Sequence, residues 1–217
     1  MMPVQIRVFF AYISGIRGFC REIAAKARRL IKHFFFFPVM VSITLHSAVL
    51  GSSAYDDDVL DIFSKILPRF VLMSSGKSTI TKEKIDICVL HDKLDERPAS
   101  SLIAKIDRNH PNGLKNYRLH ATGAPYSNLG ACENTQLIFM FDTDEKNIEK
   151  TIHFSRNHRI LTISYDAGYL EKGVNASLFL GRKVTPYLNI DTLRKSGVEI
   201  DNTLVRISKI YSTEDGK

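Results

Sequence analysis

The sequence contains no tryptophan, and only seven prolines and twelve glycines among its 217 residues. So few chain breakers, with no long polar tract and no internal repeat, leave no room for a flexible linker or a disordered arm. Motifs of catalysis are missing too. "SSGKST" ends like a phosphate-binding loop at Gly76, Lys77 and Ser78, but that motif needs a glycine at position 71, where Val71 stands. Without it the backbone lacks the freedom to wrap phosphates. Ser74 and Lys77 have nucleophile-and-base spacing, yet no Lys-Thr-Gly or Ser-Asp-Asn partner follows. His91, His110, His120, His153 and His158 include no pair at the helical spacing of two metal ligands. Asp92, Asp95 and Glu96 cluster at the end of an apolar run and read as a solvated face. Nothing assembles a nucleophile, a base and an oxyanion site, and no cofactor or metal is implied.

The formal net charge of +7 first suggests a nucleic-acid partner. Its distribution excludes one. Seven bases between Arg7 and Lys32 face a single acid, Glu22, so residues 1–54 carry +6 and residues 55–217 only +1. A near-neutral body makes no case for binding a polyphosphate. The basic leader runs into an apolar stretch, Phe34 to Leu50, followed by "GSSA", where Ser52 and Ala54 suit a signal-peptidase site before Tyr55. An uncleaved anchor is the rival, although the stretch is short for a span and contains Pro38 and His46. Export to the periplasm through this N-terminal signal is the expectation. It leaves residues 55–217 as one domain, long enough for a single packed core.

Cys20 belongs to the leader, so that domain has two thiols, Cys88 and Cys132. An even pair in an oxidising compartment is a disulfide candidate, while two buried free cysteines in or beside strands remain the plain alternative.

Periodicity outlines the domain. Asp56-Asp57-Asp58 caps a helix whose apolar face includes Val59, Ile62, Phe63, Ile66, Leu67 and Phe70, and Pro68 should kink or end it. "IDICVL", "YRLHA", "TQLIFMF" and "RILTIS" read as strands, separated by helices over 98–106 and after a cap at Asp142 or Asp144. Alternating strands and helices imply an α/β fold of three layers, with a mainly parallel central sheet flanked by helices. "NASLFLG" and "VTPYLNI" are separated by only Arg182-Lys183, too few residues for a crossover. They form a C-terminal antiparallel hairpin, placed at the sheet edge by Pro186. A closing helix is expected from about Asp201 to Ile210, and Asn175-Ala-Ser177 matches a glycosylation pattern.

The C-terminal third, 159–211, resembles the YfiR/HmsC-like bacterial periplasmic proteins. Leu161 to Ser164 match a Leu-Thr-Val/Ile-Ser strand, Tyr169 and Gly173 a turn, Asn189 a strand, Gly197 a helix end, and Leu204-Val205 a closing segment. "IDICVLHD" and "ACENTQLIFM" extend the resemblance upstream to about residue 85. It implies a non-catalytic periplasmic regulator. Such a protein binds the periplasmic part of a membrane-bound diguanylate cyclase and represses it, lowering cyclic-di-GMP signalling and biofilm formation. The chain departs from the family in having "LPRF" where a Trp-Pro pair is usual.

The second class of function is a small-molecule-binding module feeding a transporter or sensor. Its ligand would occupy a crevice at the carboxyl ends of the parallel strands, by Ser164, Tyr165 and Asp166. For a protein partner, which includes the cyclase and a homodimer, the candidate contacts are Arg182, Lys183 and Asn189. The plain role of that hairpin is to close the sheet and seat the last helix.

Overall fold

The computed structural model describes residues 55–74 and 84–212. The leader, its cleavage site and the Gly76-Lys77-Ser78 stretch lie outside the described residues. Helix α1 (Asp57–Leu72) precedes β1 (Lys84–His91), a 3₁₀ turn (Lys93–Asp95) and α2 (Glu96–Asn109). Then come β2 (Arg118–Pro125), a 3₁₀ segment (Tyr126–Cys132), β3 (Leu137–Met140), α3 (Glu145–His158), β4 (Leu161–Ser164) and the single turn α4 (Tyr169–Lys172). The chain ends with β5 (Ala176–Leu180), β6 (Val184–Leu188), α5 (Ile190–Ser196), α6 (Asn202–Ile207) and β7 (Lys209–Ile210). The seven strands form one sheet in the order β2-β1-β3-β4-β5-β6-β7. Every adjacent pair is parallel except β5 and β6.

Strand alternation sends apolar side chains to both faces, which is why the central runs read as continuously hydrophobic. Ile85, Ile87, Val89, Leu137 and Phe139 join Phe63, Leu67, Leu102 and Ile106 in one core under α1 and α2. Cys88, Leu90, Ile138 and Met140 join Ile148 and Ile152 of α3 in a second core on the other face. Three layers result. Cys88 and Cys132 are fully buried and disulfide-bonded, with Cα atoms 5.4 Å apart, so the free-thiol alternative falls away. Closing a loop of 44 residues' separation stabilises the fold by about 4 kcal/mol in the chain-entropy picture.

Pro68 does not end α1. The helix continues four residues further to Leu72. Proline offers no N–H to the carbonyl four residues earlier, that of Ser64, but Phe63, Leu67, Phe70 and Val71 on both sides of it are buried in the core and hold the helix. Asn109 Nδ2 adds a bond of 2.7 Å to Ser64 Oγ. The closing helix is also shorter than its periodicity suggests. It stops at Ile207, and Lys209 and Ile210 turn into a two-residue strand paired with Tyr187 and Leu188. β7 thus takes the outermost place from β6, leaving the Val184–Pro186 stretch of β6 without a partner on its outer side among the described residues.

The join between β4 and β5 is narrow, with one ladder position, Ile163 to Ala176. A buried side chain reinforces it. Asn175 Oδ1 accepts from the Thr162 backbone at 3.0 Å and the Thr162 hydroxyl at 2.9 Å, while its Nδ2 donates to Ser196 Oγ at 2.9 Å. Asn175 is 1% exposed, so its amide is not available as a glycosylation acceptor. Replacing it leaves several buried donors and acceptors unmatched. Asn175→Ala is expected to lower stability by about 3 kcal/mol, read as a shift of the urea midpoint at unchanged m-value. Burial also lowers the His110 pKa. The unfolded chain then binds the proton first as pH falls, so stability declines on acidification from about pH 6.5. His110→Gln, which does not titrate, should flatten that part of the stability profile.

Candidate functional site at the carboxyl ends of the strands

The order β2-β1-β3-β4-β5 carries α2 to one face of the sheet and α3 to the other. The connections part company between β1 and β3, and open α/β sheets bind ligands at such a switch point, outside the carboxyl ends of the strands. Register places Leu90, Met140 and Ser164 side by side. Two residues beyond that row stand Asp92, Asp142 and Asp166, one after each of the three central strands.

Tyrosines close the switch point from inside. The Tyr55 ring meets Phe141 and Tyr165 edge to face, with centroids 4.7 and 4.8 Å away. Its hydroxyl donates to Asp95 Oδ2 at 2.9 Å and accepts from the Asp142 N–H at 3.0 Å. Tyr169 donates to the Asp142 carboxylate and accepts from the Thr143 N–H at 2.8 Å. Tyr126 donates to the Phe141 carbonyl at 2.6 Å, and Thr143 Oγ1 donates to Asp92 Oδ2 at 2.8 Å. The β3–α3 loop is thereby clamped by three phenols that come from three other parts of the chain. Burial raises the pKa of Tyr55, Tyr126 and Tyr169, so each stays a neutral phenol at ordinary pH. None is poised as a phenolate base. Among the described residues no three His, Cys, Asp or Glu side chains converge as a metal site.

The expected crevice residues have structural duties. Ser164 is fully buried and donates to the Asp166 carbonyl at 2.7 Å. Tyr165 packs on Tyr55, and its hydroxyl accepts from the Asp56 N–H at 3.3 Å. Asp166 caps the following turn through the Gly168 N–H at 2.8 Å. The chain's own Tyr55 fills the place beside Tyr165. Of the expected partner contacts, Arg182 and Lys183 are exposed at the hairpin tip. Asn189 is corrected: it is buried, accepts from the Thr192 N–H at 3.1 Å and donates to the Leu170 carbonyl at 2.9 Å, so it caps α5 and faces no partner. Sequence reasoning missed Tyr55, Tyr126 and Tyr169 as a set. They are 114 residues apart in the chain at the extremes, and no local pattern joins them.

With this geometry, the YfiR/HmsC-like family model matches residues 68–209. The chain belongs to the YfiR/HmsC-like family. Its members are periplasmic regulators, a regulatory rather than a catalytic family. No curated protein sequence matches the chain. Among solved structures it is similar to a conserved domain protein from Vibrio cholerae O1 biovar El Tor strain N16961, with TM-score 0.50 and 12% identity over 70% of this chain and 60% of that one. A second similarity is to an ABC domain in complex with L-Trp from Streptococcus pneumoniae, with TM-score 0.45 and 7% identity over 71% of this chain and 60% of that one. The chain spans about 60% of the length of these two proteins, and at such identities the first likeness bears on the fold alone.

The neutral phenols give this YfiR/HmsC-like domain a pH signature. Their folded pKa values lie above that of a free tyrosine, so the stabilisation is complete below about pH 10 and is lost as pH rises beyond it. Tyr169→Phe should make alkaline unfolding above that point less steep, measured by circular dichroism across a pH series.

Proposed function

We propose that this protein is a non-catalytic periplasmic regulator that binds the periplasmic part of a membrane-bound diguanylate cyclase and represses it, lowering cyclic-di-GMP signalling. The match to the YfiR/HmsC-like family across 68–209 carries this reading. Two features support it. The buried Cys88–Cys132 disulfide suits an oxidising compartment. The ordered tyrosine clamp holds the loops at the carboxyl end of the sheet as a fixed surface, which favours recognition by shape.

The second reading, a small-molecule-binding module feeding a transporter or sensor, draws on a different place from the switch point. A cavity of about 740 Å³ opens between α5 and α6, lined by Ile190, Leu193, Val198, Ile200 and Val205 with Arg194 at hand. Its volume falls within the range of ligand pockets.

The test is capture from membranes. The immobilised protein should retain one diguanylate cyclase under oxidising conditions and release it when Cys88–Cys132 is reduced, and adding the protein should lower cyclic-di-GMP output of those membranes. Capture of a transport permease in place of a cyclase would overturn the reading in favour of the second. An unchanged cyclase output would overturn repression.

A further inference from the structure

The two edges of the sheet are finished differently. At one, β5 outruns its neighbour: Ile163 aligns with Ala176 and β4 ends at Ser164, so Leu178, Phe179 and Leu180 pair only with Val184 to Pro186 of β6. The hairpin extends past β4 as a two-stranded arm, and because β5 is parallel to β4 it rises at the end where Asp92, Asp142 and Asp166 stand. Its outer side is closed to further strands. Pro186 offers no donor, and β7 is only two residues long. Lys209 Nζ, from β7, lies 4.6 Å from the Phe179 ring centroid and 4.9 Å from that of Tyr187.

The other edge has none of these guards. β2 is the outermost strand there and runs for 8 residues, Arg118 to Pro125, in unbroken register with β1. It holds no lysine, no bulge and no proline before its last residue, and none of the residues 118–123 is buried. The ladder fixes which of its backbone groups are spare. The Phe141 N–H donates to the Leu90 carbonyl at 3.1 Å, so Leu90 turns toward β3 and, by alternation, Ile85, Ile87 and Val89 turn toward β2. In a parallel ladder a residue bonds the two neighbours of its partner. Ile87 stands opposite Ala121 and so bonds His120 and Thr122. Leu119, Ala121 and Gly123 therefore point their N–H and C=O groups outward, where they meet no other backbone partner among the described residues. Gly123 adds no side chain to obstruct a second backbone.

Charge narrows the kind of strand that fits. No acid occurs from Asn109 to Cys132, while Lys115 and Arg118 are exposed and enter no ion pair among the described residues. Asp86, opposite His120, is already held by Lys84 Nζ at 2.7 Å and His120 Nδ1 at 3.2 Å. An extended segment with a carboxylate level with Arg118 satisfies the bare amides and the bare cation together. A second copy of β2 does not, since it brings another set of cations and no acid.

We propose that β2 is a docking edge, where an extended acidic segment of a partner protein adds one more strand to the sheet, pairing with Leu119, Ala121 and Gly123 and setting a carboxylate against Arg118. The inference concerns how such a segment is held and does not require the partner to be a cyclase.

The test titrates the full chain, processed as its own leader directs, against fluorescein-labelled Asp-Val-Thr-Val-Thr-Val-Asp, which presents an acid near Arg118 whichever way it runs. Anisotropy should report saturable binding, weakened by about tenfold or more when lysine replaces both aspartates or when the peptide amides are N-methylated. Arg118→Glu should weaken it by a similar factor at unchanged melting temperature. Arg206→Glu, the same charge change at an exposed position on α6, should leave binding unchanged. Amide hydrogen exchange at Leu119, Ala121 and Gly123 should be fast in the free chain and slow with peptide bound. Binding that is indifferent to N-methylation or to Arg118→Glu overturns the proposal, as does the absence of binding up to millimolar peptide. Slow exchange at those three amides in the free chain overturns it too, because a second copy or the chain itself then covers the edge. Capture of a cyclase from membranes can fail while the peptide binds, and the reverse, so the two readings fall separately.

Discussion

One buried amide governs the geometry of the whole second half of the domain. β4 and β5 share a single ladder position, and what would otherwise be a weak seam is completed by Asn175, which bonds Thr162 on one strand and Ser196 on α5 at once. Ser177 adds a bond of 2.9 Å to the Ser164 carbonyl. Inside a low-dielectric core such a network is strong when complete and costly when broken, so it tolerates one register. That register determines how far the hairpin stands out from the sheet. It also determines that the basic tip rises at the end occupied by the aspartates.

The switch point of the sheet is the usual place for a ligand in an open α/β fold. Here it is filled by the chain itself. Tyr55 lies over Phe141 and Tyr165, and its hydroxyl, with those of Tyr126 and Tyr169, uses the polar groups that a ligand would need. The consequence is a rigid surface in place of an open crevice. The large apolar side chains that project outward at this end of the molecule are those on the arm and Leu94.

Much of the fold was legible from local pattern. The Asp56 and Asp144 caps, the apolar face of α1, the buried central strands and the tight antiparallel hairpin of β5 and β6, whose turn holds Gly181 as well as Arg182 and Lys183, all follow from rules that act within one or two turns of chain. The misreadings share a cause. Pro68 sits inside α1 because the apolar face of the helix is buried on both sides of it, at Phe63, Leu67, Phe70 and Val71. The last helix stops short because Lys209 and Ile210 gain a place beside β6. Asn175 and Asn189 looked like surface residues and are buried, since their amides meet partners on other elements. In each case contacts with distant parts of the chain, by burial or by a hydrogen bond, outweighed a local preference.

The amino-acid sequence by itself determined the class of fold, the order of its elements and the presence of the hairpin, because alternation, capping and turn length are written in neighbouring residues; the kinship with periplasmic regulators came from the resemblance of its motifs. Tertiary structure alone decided whether Cys88 and Cys132 bond, which tyrosines meet, how far the arm protrudes and what it stands beside. Those outcomes rest on strand register and on buried polar pairs between segments far apart in the chain. Such pairs gain their energy only once the solvent between them has been excluded.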